Sequence, residues 1–380
     1  MGFPQEYMIS DWKRAHVTGK EMKGKIPIRP RLAEAPVVLS ATSESMVCYY
    51  KEHRQTCNHL FIIVRKIQLV IFMLYTLTRM EEYIETPPLP SFVQFETSTK
   101  CNARCTFCPH SEMKRQGWAK WSTLMKVMRE LIPTAEYVAP FMFQEPLLEP
   151  RLIPILASVK HINPKAKTMI SSNMGFIEQQ QIEEILDRDL LDELHVSFYG
   201  PNKRIYNQLQ PPLDWEKTKE NIKAVVRIRA KRGGRRPLII MQYLVIPELM
   251  QHVDSFIRKW STLADRVILT NYVAFQGVMP KISFDESVWL GNPAHRTPCQ
   301  KLWSDIIVHF DGTIVPCCID WDGRMPLGNI NETSVKKIWY GERITWLRKM
   351  HTEKKWNEIT MCRNCDIYKY QFTKEWIKIW

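Results

Sequence analysis

From Phe92 onward, short runs of β-branched and aromatic residues alternate with stretches whose apolar positions return every third or fourth residue. The first pattern is that of a strand and the second that of an amphipathic helix, so their alternation predicts repeated strand–helix units and a parallel sheet. The predicted strands are 92–96, 137–143, 167–172, 193–198, 238–245 and 266–272, with helices over 122–131, 152–161, 178–187, 215–232 and 250–263. Several strands end in polar or glycine-containing segments: Thr97-Ser98-Thr99-Lys100-Cys101, Gln144-Glu145-Pro146, Ser171-Ser172-Asn173 and Tyr199-Gly200. These are carboxyl ends, the side on which parallel sheets and barrels gather their chemistry. After about residue 285 the alternation stops. The tail is rich in Cys, Trp, Asp and Asn, with strand material at 306–310 and 313–316 and a helix expected around 334–350.

The first 79 residues follow neither period. Their one long apolar run, Leu60–Leu77, is interrupted by Arg65, Lys66 and Gln68, leaving less than the ~18–20 apolar residues a membrane span needs. No membrane anchor is expected, and Met1–Arg14 has no basic start followed by an apolar core. Met80 opens a segment that reads as a natural start. The expected organisation is a dispensable extension over 1–79, a catalytic core over 80–285 and a small cysteine-rich domain over 286–380.

At 380 residues, 45% hydrophobic and 24% charged, the chain can bury a substantial core, and collagen-like, low-complexity and wholly disordered classes are excluded. The net charge is +13, but the first 79 residues hold 12 Lys/Arg against 6 Asp/Glu, so the remainder is only weakly basic. The basic stretch Lys231–Arg236 reads as a solvated loop rather than a nucleic-acid surface. Eight of ten cysteines fall in tight groups. A secreted disulfide framework belongs to short chains with a leader, so the grouping points to a reduced, cytoplasmic metalloprotein.

Cys101, Cys105 and Cys108 follow the first strand with CxxxCxxC spacing. Three thiolates can converge on one cluster from such a loop, whereas structural zinc pairs its ligands as CxxC and needs a fourth, for which His110 is the nearest candidate. A four-iron cluster takes four thiolates, so a triplet leaves one iron open to a chelating amine and carboxylate. This motif, with Phe107 before its last cysteine, resembles that of the radical S-adenosylmethionine (SAM) enzymes. The resemblance spans roughly residues 90–285 and implies an α/β fold, a partial (β/α)6 TIM-like barrel with a 4Fe–4S cluster at its top. Gln144-Glu145-Pro146 occupies the place of the family's GGE-type motif, which implies that Glu145 holds the SAM ammonium; Phe143 and Gln144 replace the glycines. Phe107, Ser172, Asn173 and Ser197 are the further cofactor-binding candidates that the resemblance implies.

In the tail stand Cys299, Cys317 and the pair Cys362 and Cys365, with Cys318 a spare or alternative ligand. Four thiolates suit either structural zinc or an iron–sulfur cluster. The frame around Cys299, Asp311-Gly312, Cys317 and Gly328-Asn329 resembles the SPASM extension or its shorter twitch relative. With no cysteine after Cys365, it implies one auxiliary 4Fe–4S cluster.

These resemblances imply reductive cleavage of SAM to a 5′-deoxyadenosyl radical that takes a hydrogen atom from a small-molecule or peptide substrate above the barrel. They also imply a low-potential donor such as flavodoxin or ferredoxin, and an auxiliary cluster that assists an oxidation or a peptide modification. An RNA-modifying enzyme of the same chemistry and a non-catalytic electron-transfer protein are the rival readings. No acid or base is assigned: Asp305, Asp311, Asp320 and Asp322 are the tail's possible proton acceptors, although acidic residues in such segments usually form turns.

Overall fold

The computed structural model describes residues 87–275, 278–279 and 296–365. The N-terminal extension with its apolar run, Cys48, Cys57 and Trp289 lie outside the described residues. Six parallel strands follow the expected order: β1 (Phe92–Phe95), β2 (Tyr137–Ala139), β3 (Lys167–Ser172), β4 (Glu193–Ser197), β5 (Leu238–Val245) and β6 (Arg266–Asn271). Between them run α1 (Trp121–Glu130), α2 (Leu152–Ile162), α3 (Gln179–Asp187), α4 (Lys203–Leu209), α5 (Trp215–Lys231), α6 (Pro247–Met250) and α7 (Val253–Trp260). Among the described residues no helix is long and apolar enough to cross a membrane.

The tail begins with α8 (Lys301–Ser304) and β7 (Asp305–Val308), which pairs in parallel with β1 in the register Phe92–Asp305. Then β8 (Thr313–Val315) returns antiparallel, followed by β9 (Gly328–Asn329). The sheet is therefore nine strands in the order 6-5-4-3-2-1-7-8-9. Three helices close the described chain: α9 (Val335–Trp339), α10 (Glu342–Thr352) and α11 (Thr360–Arg363).

Alternation along the strands separates two faces. Ile170, Leu194, Val196, Met241 and Tyr243 are buried against α2, α3, α5 and α7 through Leu156, Ile185, Val225 and Trp260. A second cluster packs Val93, Val138, Ile306 and Ile314 on Leu124, Val127 and Trp339, so the tail shares its core with the barrel. Burying a side chain of this size contributes about 1.5–3 kcal/mol. The residues between them in sequence, Ser171, His195, Ser197 and Gln242, remain partly accessible on the inner face.

Three local differences from the expected elements have simple causes. β2 stops at Ala139 rather than at Phe143 because Pro140 has no N–H to continue the ladder. The expected helix over 334–350 is two helices, meeting at Gly341, where a Cβ would lie 2.8 Å from the Lys337 carbonyl. The hairpin between β7 and β8 turns at Gly312, whose φ of +88° favours glycine and where a Cβ would strike the Asn331 amide.

Candidate functional site

The loop after β1 carries the cysteine triplet. Its backbone is tied to the loop after β2 and to the end of the helix that follows β4: Glu145 N–H donates to Lys100 O (2.9 Å), Arg104 N–H to Pro211 O and Thr106 N–H to Leu209 O (3.0 Å). Cys108 then caps a short 3-10 turn at Pro109–Glu112. The three thiols lie close enough to act on one another. Burial, then Cys108 and Cys101, push the Cys105 thiol far up; burial also lifts Cys108, to about 11, and raises Cys101. A set of mutually repelling buried thiols is one that a cationic cluster would ionise. Among the described residues no three His, Cys, Asp or Glu side chains close on a single-ion site. His110, the candidate fourth zinc ligand, instead hydrogen-bonds the Thr99 carbonyl through Nε2 at 2.8 Å.

Glu145 is fully buried beside this loop. One carboxylate oxygen accepts from Leu147 N–H (3.0 Å) and the other from Asn173 N–H (2.7 Å), and burial raises its pKa to about 7. A buried carboxylate that leans on Cys101 electrostatically suits a cationic partner, which would bring it back to the ionised form. Asn173 is a brace for the loop: its Nδ2 donates to Asn102 Oδ1 (2.8 Å) and approaches Cys101 Sγ (3.9 Å). Phe107 sits edge-on to Tyr199, ring centroids 5.1 Å apart.

Of the strand-end serines, Ser197 lies on the inner face, but Ser172 does not. Ser172 is wholly buried, its Oγ accepting from Met174 N–H (2.9 Å) and its hydroxyl also stabilising the Glu145 carboxylate, while the adjacent Ser171 faces the inner side. Strand periodicity makes the difference: a shift of one residue moves a side chain through the sheet. Ser171 Oγ lies 3.1 Å from Ser197 Oγ, and both donate to Gln242 Oε1, at 3.2 and 3.0 Å. Tyr199 Oη reaches the same oxygen at 3.4 Å. Gln242 Nε2 stands 3.3 Å from His195 Nδ1, and His195 Nε2 stands 3.0 Å from Glu193 Oε2. Burial opposes the charge on Glu193, yet His195, Arg266 and Lys167 together hold its carboxyl below the ordinary range. A polar line thus crosses the inner face from the amino to the carboxyl edge. Its signal in the sequence is a polar residue at every second position of otherwise apolar strands, as in Glu193-Leu194-His195-Val196-Ser197.

The tail thiols form a second group. Cys362 is raised to about 12 by burial, then by Cys365 and Cys299, and Cys317 also feels Cys299. Cys318 is held below the ordinary thiol range by the hydrogen bond from Cys317 and by Lys301, which is salt-bridged to Asp305 at 2.7 Å. Through Cys299, Cys317 is linked electrostatically to Cys362 and Cys365, and both Cys317 and Cys318 feel Lys301. All eight described cysteines are free thiols, as cluster binding requires. The tail aspartates are structural: Asp305 pairs with Lys301, Asp311 Oδ1 receives Thr313 N–H, and Asp320 receives the N–H groups of Arg324 and Met325. Trp321 and Trp339 are core, whereas Trp346 is exposed. In the basic loop, Arg232 pairs with Asp187, and Arg236 with Asp189 and Asp192.

The two thiol groups lie at opposite edges of one sheet. The triplet follows the carboxyl end of β1, while Cys299 precedes β7 and the antiparallel β8 carries Cys317 back to the amino end of β7. Four strand residues, ~13 Å of chain, separate these edges.

Comparison with known proteins fits this arrangement. The profile of the radical SAM superfamily matches residues 95–259, and that of the SPASM iron–sulfur cluster-binding domain matches 299–366. An S-adenosyl-L-methionine-dependent 2-deoxy-scyllo-inosamine dehydrogenase of Niallia circulans is 20% identical over 293 residues, 75% of this chain and 96% of that one. The crystal structure of BtrN in complex with AdoMet and 2-DOIA aligns with a TM-score of 0.51 at 19% identity, covering 74% of this chain and 94% of that one. Streptococcus suis SuiB bound to its precursor peptide SuiA aligns with a TM-score of 0.57 at 14% identity, covering 80% and 75%. At these identities the two structures establish the shared fold, a partial barrel followed by a cysteine-rich tail. Two profiles in the expected order, each over its own cysteine set, show that the chain belongs to the radical SAM superfamily and carries a SPASM domain, and hence takes S-adenosylmethionine and iron–sulfur clusters as cofactors.

Proposed function

We propose that the chain is a radical SAM dehydrogenase that oxidises a hydroxyl group of a small polyhydroxylated substrate to a carbonyl. The observation that carries this reading is the polar inner face of Ser171, Ser197, Gln242 and His195, supported by the match along 96% of the inosamine dehydrogenase. Cys101, Cys105 and Cys108 would hold the first cluster and Glu145 the SAM ammonium; Cys299, Cys317, Cys362 and Cys365 would hold the auxiliary cluster.

Converting a secondary alcohol to a ketone removes a hydrogen atom from carbon, a proton from oxygen and one electron. When bound, SAM with its cluster supplies the hydrogen-atom acceptor, and the auxiliary cluster supplies the electron acceptor. The chain supplies binding, orientation and the proton acceptor. Ser171, Ser197, Tyr199 and Gln242 offer alternating donors and acceptors to a hydroxylated ring, placing the substrate along the inner face rather than above the barrel. His195 is the group suited to the proton. Its Nε2–H is fixed by Glu193, which leaves the Nδ1 lone pair facing the Gln242 amide.

Anaerobically reconstituted protein, reduced with dithionite, would be given SAM and either 2-deoxy-scyllo-inosamine or a panel of cyclitols and sugars deuterated at the carbinol carbons. The expected result is 5′-deoxyadenosine carrying deuterium, together with a ketone product, and loss of the ketone in His195→Gln. Deuterium transfer only from peptides would refute the small-molecule reading, and absence of 5′-deoxyadenosine under all conditions would refute the chemistry.

A further inference from the structure

His351, near the end of α10, is buried against Cys299 and Cys362 of the tail thiol group. The Cys299 backbone N–H points at its Nδ1 (N···N 3.1 Å), and its Nε2 lies 3.4 Å from Cys362 Sγ. A backbone N–H can only donate, so Nδ1 is the lone-pair nitrogen and the ring proton resides on Nε2. The ring is fixed in this pose. Ile344, Leu347 and Met350 of the same helix pack on Leu302 and Ile359. Arg296 donates to the Cys362 carbonyl (2.8 Å) and stacks on Trp356, 5.0 Å from the ring centroid.

We infer that His351 is a positioning residue of the auxiliary site, donating Nε2–H to the Cys362 thiolate while anchoring the Cys299 backbone through Nδ1. The inference rests on the reading that the tail thiols hold an iron–sulfur cluster. A hydrogen bond to a ligating sulfur withdraws charge and stabilises the reduced cluster more than the oxidised one, which raises the potential. An auxiliary cluster that must accept an electron from the substrate needs that bias.

The test uses the full chain with Cys101, Cys105 and Cys108 replaced by Ala, so that the tail holds the remaining cluster. Iron content and an EPR-monitored redox titration are read with His351 intact, in His351→Phe and in His351→Gln, whose amide can again both accept and donate. The expected result is full iron in all three and a lower midpoint potential in the Phe variant, with partial recovery in Gln. The size expected is about a tenfold change in the reduced-to-oxidised ratio at a fixed potential, about 59 mV for one electron. Equal potentials in all three would overturn the donor role. Loss of iron from both variants, or a strong hyperfine coupling to ¹⁵N-labelled histidine, would make the ring structural or a ligand and likewise overturn it. Absence of iron with His351 intact would instead refute the auxiliary cluster itself.

Discussion

Glu96, just beyond β1, is the group whose titration should be most visible in stability. Its side chain is completely buried between barrel and tail, salt-bridged to Arg115 at 2.9 Å, receiving Phe310 N–H at 3.2 Å and standing 3.4 Å from His309 Nδ1. Burial outweighs Arg115 and raises its pKa from 4.5 to about 7. Because the folded-state value is the higher one, the folded protein binds the proton more tightly. The resulting stability is fully present below about pH 4.5 and is lost as pH rises through about 7. At 1.36 kcal/mol per pH unit the loss comes to about 3 kcal/mol, or roughly 6–12 °C in Tm for a domain of this size. Glu145, raised to about 7 by burial in the same way, adds a similar dependence in protein without its clusters. Scanning fluorimetry of cluster-free protein between pH 5 and 8 should show Tm falling as pH rises, and Glu96→Gln should remove about half of that slope. A Glu96→Gln slope equal to that of the unsubstituted protein would show that the carboxyl is ionised throughout, with Arg115 prevailing over burial.

Other substitutions test the geometry. Gly312→Ala forces a positive φ on a residue with a Cβ and displaces Asn331, whose Nδ2 bonds the Asp311 carbonyl at 3.0 Å; a loss of about 2–4 kcal/mol is expected in urea unfolding, and an unchanged midpoint would contradict the turn. Tyr206→Phe removes a buried bond to Thr218 Oγ1 (3.0 Å) and should cost about 1–2 kcal/mol by the same measurement. Glu145→Gln should weaken SAM binding by about 10–100-fold, the worth of one charge-assisted bond, with the triplet cluster's iron retained; equilibrium dialysis that found full affinity would remove Glu145 from the cofactor site. Gln242→Leu leaves three hydroxyls without their shared acceptor and should raise the substrate KM with little loss of iron, so an unaltered KM would place the substrate elsewhere.

The parallel strands and the two cysteine sets could be read from the sequence because each is encoded locally, by a period of two or by ligand spacing. What escaped is encoded by contact. The seven-residue α4 has too few turns for a period to stand out, yet its end supplies the Leu209 carbonyl that holds the cysteine loop. The face that each of Ser171 and Ser172 takes turns on a single step of register, which two adjacent serines cannot reveal. Nothing around His351 in its own helix distinguishes it, since both of its partners, Cys299 and Cys362, come from other segments.

The pairing of β7 with β1 is the least local of these features and the one with the largest consequence. A run such as Asp305-Ile306-Ile307-Val308 says that a strand forms, but not beside which neighbour. Because β7 is parallel to β1, the segment before it, with Cys299, lies at the amino edge of the sheet. Because β8 is antiparallel, Cys317 returns to that edge while the triplet stays at the other. Had β7 instead run antiparallel to β1, both thiol groups would share one edge. The direction of one strand pair thus sets how far apart the two cysteine sets are held, which neither motif's own spacing encodes.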